Sequence, residues 1–310
     1  MPSWETLHYG PYYHQRAQRW IPAGADKPWL CYAPGGGWSR SHPRFFHDPA
    51  FGEPIFLGFI EPAETSFPVA CFSSWFGMHR YDFSLTGGSS ANDPTLAQLG
   101  EYPTTPRYLD SGVRDFQRLV QHVKEHAAEY GIDPENGIVM GSSAGGQVAG
   151  CAAYDYSAPF YGEHTAPTAR KHVSRVSSSV KGAVLTITPD DWRHHPQLSL
   201  QRGLFGISTQ AEWDVIRPGD KAALSPLGVL RQTRRALPTF LWYLEEFTGA
   251  PDQMPPYPAG YLHGSGNGFQ IHSFLESLGG DSVFHHAGVL APEDYPATLW
   301  DWLQARWTQT

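Results

Sequence analysis

The stretch Ile138-Val139-Met140-Gly141-Ser142-Ser143-Ala144-Gly145-Gly146-Gln147-Val148-Ala149 decides how the rest of the chain is read. Its apolar opening predicts a buried strand, its small-residue end predicts a helix, and Gly141-Ser142-Ser143-Ala144-Gly145 between them fits the Gly-x-Ser-x-Gly elbow. In such a turn Ser143 takes a strained backbone conformation that pushes its hydroxyl out above the sheet, and the flanking glycines spare a collision with neighbouring backbone. Ser143 is therefore the candidate nucleophile. Ser142 is set aside, because its own flanks in the pattern, Met140 and Ala144, are not glycines.

Working outward, apolar runs at Pro28–Ala33, Phe67–Phe72, Gly137–Met140, Val180–Ile187 and Pro238–Leu244 read as buried parallel strands. Val113, Phe116, Leu119, Val120, Val123 and Ala127 recur at helical spacing, with Asp110 or Ser111 as the opening cap and Gly131 as the closing one. Strand alternating with helix predicts an α/β sheet covered on both faces. No repeat or linker divides the chain, so residues 1–310 read as a single domain, with 155–179 and 192–232 as surface or cap excursions.

Composition narrows the function. With 22 Lys and Arg against 30 Asp and Glu, the net charge of −8 leaves no basic surplus for a nucleic acid or an anionic membrane face. No apolar run reaches the 18 residues of a membrane span, and no secretory leader is visible at the start, which together predict a cytoplasmic protein. The three cysteines, Cys31, Cys71 and Cys151, are widely spaced in apolar settings and are expected to be buried thiols. A 14% aromatic content with 32 Gly and 27 Pro suits a loop-rich enzyme.

A second element, Trp29-Leu30-Cys31-Tyr32-Ala33-Pro34-Gly35-Gly36-Gly37-Trp38, runs a strand into three glycines, whose backbone N–H groups no side chain shields. Together with the elbow, with Glu129-Tyr130-Gly131-Ile132-Asp133-Pro134, with Leu224-Ser225-Pro226-Leu227 and with Leu237-Pro238-Thr239, it resembles the α/β-hydrolase serine esterases of the hormone-sensitive-lipase and kynurenine-formamidase-like group. The resemblance spans most of Trp29 to Trp307. It implies about eight mostly parallel strands flanked by helices, and an oxyanion hole made by the amides of Gly36, Gly37 and Ala144. The chain departs from that group at Pro34, where a histidine usually precedes the glycines; proline removes an N–H and pushes Ala33 toward extended backbone.

The chain order of this fold is nucleophile, acid, histidine. The acid is then expected after the strand ending at Leu244, among Glu245, Glu246 and Asp252. Asp252 is favoured because Asp252-Gln253-Met254-Pro255 resembles the group's Asp-x-x-Val-Pro turn, although the intervening Phe247–Pro251 keeps Glu246 open. The histidine is expected on the last strand, as His286 or its neighbour His285, with His286 nearer the strand end. His263 and His272 precede that strand and are set aside as too early.

A metal alternative at Asp190-Asp191-Trp192-Arg193-His194-His195 lacks the helical histidine pair of a metal site, so neither metal nor cofactor is expected. The resulting expectation is a carboxylesterase: Ser143 attacks a short-chain or aryl ester, His286 takes its proton, Asp252 orients His286, and water releases the acyl group. The partner is a small-molecule ester, with a homodimer left open and no nucleic acid or membrane involved. An N-acyl or N-formyl amidase on the same residues, and a non-catalytic binding module on the same fold, stay open.

Overall fold

The computed structural model describes residues 5–10, 15–35, 69–74, 111–155, 176–195, 209–216, 218–257, 261–291 and 293–308. Within these the strands are β1 (Glu5–His8), β2 (Arg16–Trp20), β3 (Lys27–Ala33), β4 (Ala70–Ser74), β5 (Ile132–Ser142), β6 (Gly182–Thr186), β7 (Thr239–Tyr243) and β8 (Ser282–His286). They form one sheet in the order β1-β2-β4-β3-β5-β6-β7-β8. β3 through β8 pair in parallel, while β1 with β2 and β2 with β4 are antiparallel. The expected number and direction of strands are therefore present.

Period-two side-chain alternation splits the core into two layers. Trp29, Cys31 and Ala33 of β3, Val139 of β5, Leu185 of β6 and Leu241 of β7 face one side. Helices Ser111–Glu125, Ala144–Tyr154, Pro226–Thr233 and Ser265–Ser277 contribute to that layer. Leu30, Tyr32, Ile138, Met140, Val184, Phe240 and Trp242 face the other, closed by Leu299, Trp302, Leu303 and Trp307 of the C-terminal helix Tyr295–Thr308. Because both faces are covered, the central strands read in sequence as unbroken apolar runs.

The expected amphipathic helix appears as Ser111–Glu125 followed by a short helix, Ala127–Tyr130, which Gly131 ends in the left-handed conformation at φ 58°. From Ile132 on, the turn expected at Gly131–Asn136 is part of β5: the ladder to β3 shifts register between Lys27 and Trp29, and the Asp133 carboxylate accepts the Glu135 N–H at 3.0 Å. The second expected excursion, 192–232, is only partly superficial. Trp192 and the Leu227, Val229 and Leu230 of helix Pro226–Thr233 are buried in the core, against the elbow helix Ala144–Tyr154. Residues 156–175 of the first excursion, and 196–208 and 217 of the second, lie outside the described residues.

All three cysteines are buried thiols outside any disulfide. Burial pushes the Cys71 thiol up to about 12, so it stays protonated at neutral pH. Among the described residues no helix is long and apolar enough to cross a membrane.

Leu185 is fully buried at the centre of the sheet, against the elbow helix layer. Leu185→Ala is expected to lower stability by about 2–5 kcal/mol. Urea denaturation checks this, as a lower midpoint at unchanged m.

Candidate active site

The site assembles at the carboxyl ends of the parallel strands, where open α/β sheets place their ligands. β5 ends at Ser142, and the next residue, Ser143, has φ 52° and ψ −118° before helix Ala144–Tyr154 begins. Positive φ is strained for a residue with a Cβ. The conformation is fixed from several sides. The Ser143 N–H donates to the Thr186 carbonyl at 3.0 Å, and the Gln147 N–H donates to the Ser143 carbonyl at 3.1 Å.

Glycine is demanded on both sides of the serine. A Cβ on Gly141 would lie 2.2 Å from the Gly145 carbonyl oxygen, and one on Gly145 would lie 1.9 Å from that of Ala33 and 2.5 Å from that of Pro34. The helix start is thereby pressed against the end of β3, where Pro34 is buried. Ala144 is buried at the first position of the elbow helix, whose opening N–H groups have no acceptor inside the helix. Gly36 and Gly37 lie outside the described residues.

The hydrogen bond expected between Ser143 and His286 is made instead by a different histidine: Ser143 Oγ and His263 Nε2 are 2.6 Å apart. His263 closes a short 3-10 turn, Tyr261–His263, between β7 and helix Ser265–Ser277. Chain order points to the last strand instead, which makes His263 too early for the sequence expectation. The segment after β7 nonetheless folds back over the elbow. His263 is exposed at the mouth of the site, yet the protein packed on one side of its ring partly desolvates it and His195 adds repulsion, which together hold its pKa below the ordinary imidazole value.

What fastens this turn is Asn267. Its Nδ2 donates to the carbonyls of Tyr261 (3.1 Å), Leu262 (3.2 Å) and Gly264 (2.9 Å), which bracket His263. Its Oδ1 accepts from His195 Nε2 at 2.8 Å and from the Asp190 N–H at 3.2 Å. His195 Nε2 also lies 3.1 Å from Asp190 Oδ1; flanked by two acceptors, it must carry the proton.

Asp190 is fully buried and anchors the network. It takes His194 Nδ1 at 2.9 Å and the Tyr257 hydroxyl at 3.2 Å, and the Tyr257 ring stacks on His195 at 4.9 Å. Burial alone would raise its pKa; the hydrogen bonds from His194 and His195 outweigh it and hold the carboxyl below the ordinary value. The segment read in sequence as a metal alternative is thus a hydrogen-bonded buttress beneath the histidine turn.

The remaining candidates lie after β7 and at the end of β8. Asp252 is exposed on the turn Pro251–Gln253, where its Oδ2 accepts from the Tyr261 hydroxyl at 3.4 Å. Glu245 follows β7, and a Cβ on Gly264 would come within 3.0 Å of its carboxylate. His286 ends β8, where its Nδ1 accepts the N–H groups of Phe247 at 3.1 Å and Gly288 at 3.3 Å. Burial lowers its pKa, and Glu246, packed against Gly288, opposes that. His285 faces the other layer, with its ring 5.2 Å from that of Phe240. The sequence signal for His263 was faint: Gly264 and Gly266 permit close approach, since a Cβ on Gly266 would lie 1.7 Å from the Gln253 carbonyl oxygen.

The BD-FAE family model matches residues 104–199, a span that includes the elbow. A truncated carbohydrate esterase from gut microbiota aligns with a TM-score of 0.64 at 13% identity, over 99% of this chain and 96% of that one. The esterase Est2 from the Planctomycetes species Thermogutta terrifontis, with butyrate bound, aligns at 0.58 and 16% identity, over 98% and 94%. An acetyl ester-xyloside bifunctional hydrolase from Caldicellulosiruptor lactoaceticus gives 0.57 and 16%, over 93% and 88%. No curated protein sequence matches the chain. At these identities the likeness defines the fold, and the chain has the α/β-hydrolase fold.

Two outcomes follow from the geometry. Asn267→Ala frees the His263 turn and is expected to slow fluorophosphonate labelling of Ser143 by about a hundredfold, measured with a thermal melt on the same sample to register folding. A base with a lowered pKa stays unprotonated further into acid. The acid limb of the labelling rate is therefore expected to have its midpoint below about 6.5, measured as rate against pH.

Proposed function

We propose that the protein is a serine hydrolase of carboxylic esters, acting on short-chain or aryl substrates through an acyl-enzyme. The observation that carries this reading is the 2.6 Å contact between Ser143 Oγ and His263 Nε2 at a positive-φ elbow. A hydroxyl within hydrogen-bond reach of an unprotonated imidazole is the pairing that nucleophilic acyl transfer needs. The BD-FAE match over the elbow and the esterases among the structural neighbours support the same chemistry.

In the proposed cycle His263 takes the Ser143 proton as Oγ attacks the ester carbonyl, and the amides of Gly36, Gly37 and Ala144 hold the oxyanion. The imidazolium returns the proton to the leaving alcohol; water, deprotonated by the same ring, then hydrolyses the acyl-enzyme. Asp252 and Glu245 both act on the hydroxyl of Tyr261, two residues before His263; that hydroxyl's pKa is raised by desolvation first and then by Glu245 and Asp252. Losing one oxyanion donor costs comparable enzymes about 2.7–4 kcal/mol, which gives the glycine loop as much weight as the base.

A second reading keeps the base at His286. The Glu246 carboxylate beside it reproduces the order acid after β7, histidine after β8. The two readings differ in one experiment, kcat on a short-chain aryl ester for His263→Ala and His286→Ala, with folding checked by thermal melt. His263→Ala is expected to lose about 10⁴ in kcat and His286→Ala about tenfold or less. The reverse pattern transfers the role to His286. Ser143→Ala is expected to abolish both turnover and fluorophosphonate labelling; turnover retained by that variant overturns the hydrolase reading altogether.

A further inference from the structure

The place of His263 over Ser143 depends on which way one buried carboxamide faces. A carboxamide is nearly symmetric in shape but not in chemistry, because one end donates twice and the other only accepts. Asn267 is fully buried and turns its Nδ2 to the carbonyls of Tyr261, Leu262 and Gly264, at 2.9 to 3.2 Å. Turned over, it would set its oxygen against three carbonyl oxygens and release the turn.

Two donors on the opposite side oppose that flip: the Asp190 N–H at 3.2 Å and His195 Nε2 at 2.8 Å. Of the two, only the His195 donor belongs to a side chain. We propose that His195 is a positioning residue of the site: its Nε2–H fixes the orientation of the Asn267 carboxamide, and thereby the stand of the His263 ring against Ser143. This role rests on the reading of Ser143 and His263 as the reacting pair.

His195 is held on every side. It is 4% exposed. The Tyr257 ring stacks on it at 4.9 Å with an interplanar angle of 26°, and Trp192 meets it edge-on at 6.0 Å. Its backbone N–H donates to the Trp192 carbonyl at 3.3 Å, and the neighbouring His194 carbonyl accepts the Tyr257 N–H at 3.2 Å. Ring and backbone are both fixed, so Nε2 cannot swing away from Asn267.

The proton on Nε2 is fixed as well. Asp190 Oδ1 lies 3.1 Å from it, and that carboxylate, held below its ordinary pKa, offers the ring only lone pairs. Asp190 also accepts from His194 Nδ1, the Tyr257 hydroxyl and the Asp191 N–H. The ionised carboxylate thus sets the His195 proton, the proton sets the carboxamide, and the carboxamide sets the turn. The bond from His195 to Asn267 ties the segment after β6 to the turn after β7, between residues 72 apart in sequence.

The test is kcat and KM on a short-chain aryl ester, with fluorophosphonate labelling of Ser143 and a thermal melt on each sample. His195→Ala leaves Asp190 with His194, Tyr257 and the Asp191 N–H, so the fold is expected to survive. Its kcat and labelling rate are expected to fall about thirtyfold while KM moves by less than about threefold, since the displaced ring acts on the reaction and not on binding. His195→Gln carries an amide nitrogen where Nε2 stood and is expected to recover to within about fivefold of the parent, whereas the shorter His195→Asn behaves as His195→Ala. On a His263→Ala background, His195→Ala is expected to cost less than about threefold more, because its effect passes through His263. Parent-like kcat in His195→Ala, no recovery in His195→Gln, or an undiminished loss on the His263→Ala background overturns the positioning role and leaves the pairing of Ser143 with His263 standing. Parent-like turnover in His263→Ala removes that pairing, and this role with it.

Discussion

Everything at the candidate site depends on holding Ser143 in a backbone conformation it would not adopt alone. A non-glycine residue at positive φ costs about 1–3 kcal/mol and persists only when its surroundings over-determine it. Here the surroundings are the carboxyl ends of three adjacent strands. β6 supplies the Thr186 carbonyl to the Ser143 amide, and β3 presents the Ala33 and Pro34 carbonyls to Gly145, with no room for a methyl group. The strain extends to the neighbouring strand end, where Ile187, a β-branched residue, also has positive φ at 44°. Two strained residues side by side need a rigid base. The sheet, buried on both faces, provides it.

The histidine side of the site rests on a different kind of interaction. The elbow is set by steric exclusion among backbone atoms, whereas the His263 turn is tied down by polar groups centred on Asn267 and the buried Asp190. Such a network is stable only when every member is satisfied, and here each named donor meets an acceptor. The sign of its pH dependence follows from Asp190. With a folded-state pKa below its unfolded value, its contribution to stability is present above the ordinary carboxylate range. That contribution is lost as pH falls through the folded value.

These two kinds of interaction explain what could be read from sequence. The elbow, the parallel strands and helix Ser111–Glu125 were legible because each writes its physics locally: glycines where backbones collide, apolar runs where both faces are covered, a 3.6-residue period where one face is. β1 and β2 leave little trace because Glu5-Thr6-Leu7-His8, at the sheet edge, and Arg16-Ala17-Gln18-Arg19-Trp20 beside it are short and mostly polar, with only isolated buried positions. His263 was passed over for a deeper reason. A three-residue 3-10 turn has no periodicity, and its position is set by Asn267, Asp190 and His195, groups far apart in sequence that no local pattern connects. Chain order pointed to β8, where His286 does sit at the strand end, bonded to Phe247 and Gly288.

The division has a consequence for how the molecule fails. The candidate nucleophile, Ser143, is set by the ends of the sheet strands and keeps its place as long as the sheet does. The turn carrying its candidate partner is fastened by hydrogen bonds to the buried Asn267 and Asp190, a unit apart from the sheet that can open without it. Heat or mild denaturant would then disarm the pair before the sheet melts, and cooling would restore it without refolding the core. Durability of shape and durability of reactivity are separate properties of this chain, written in separate residues.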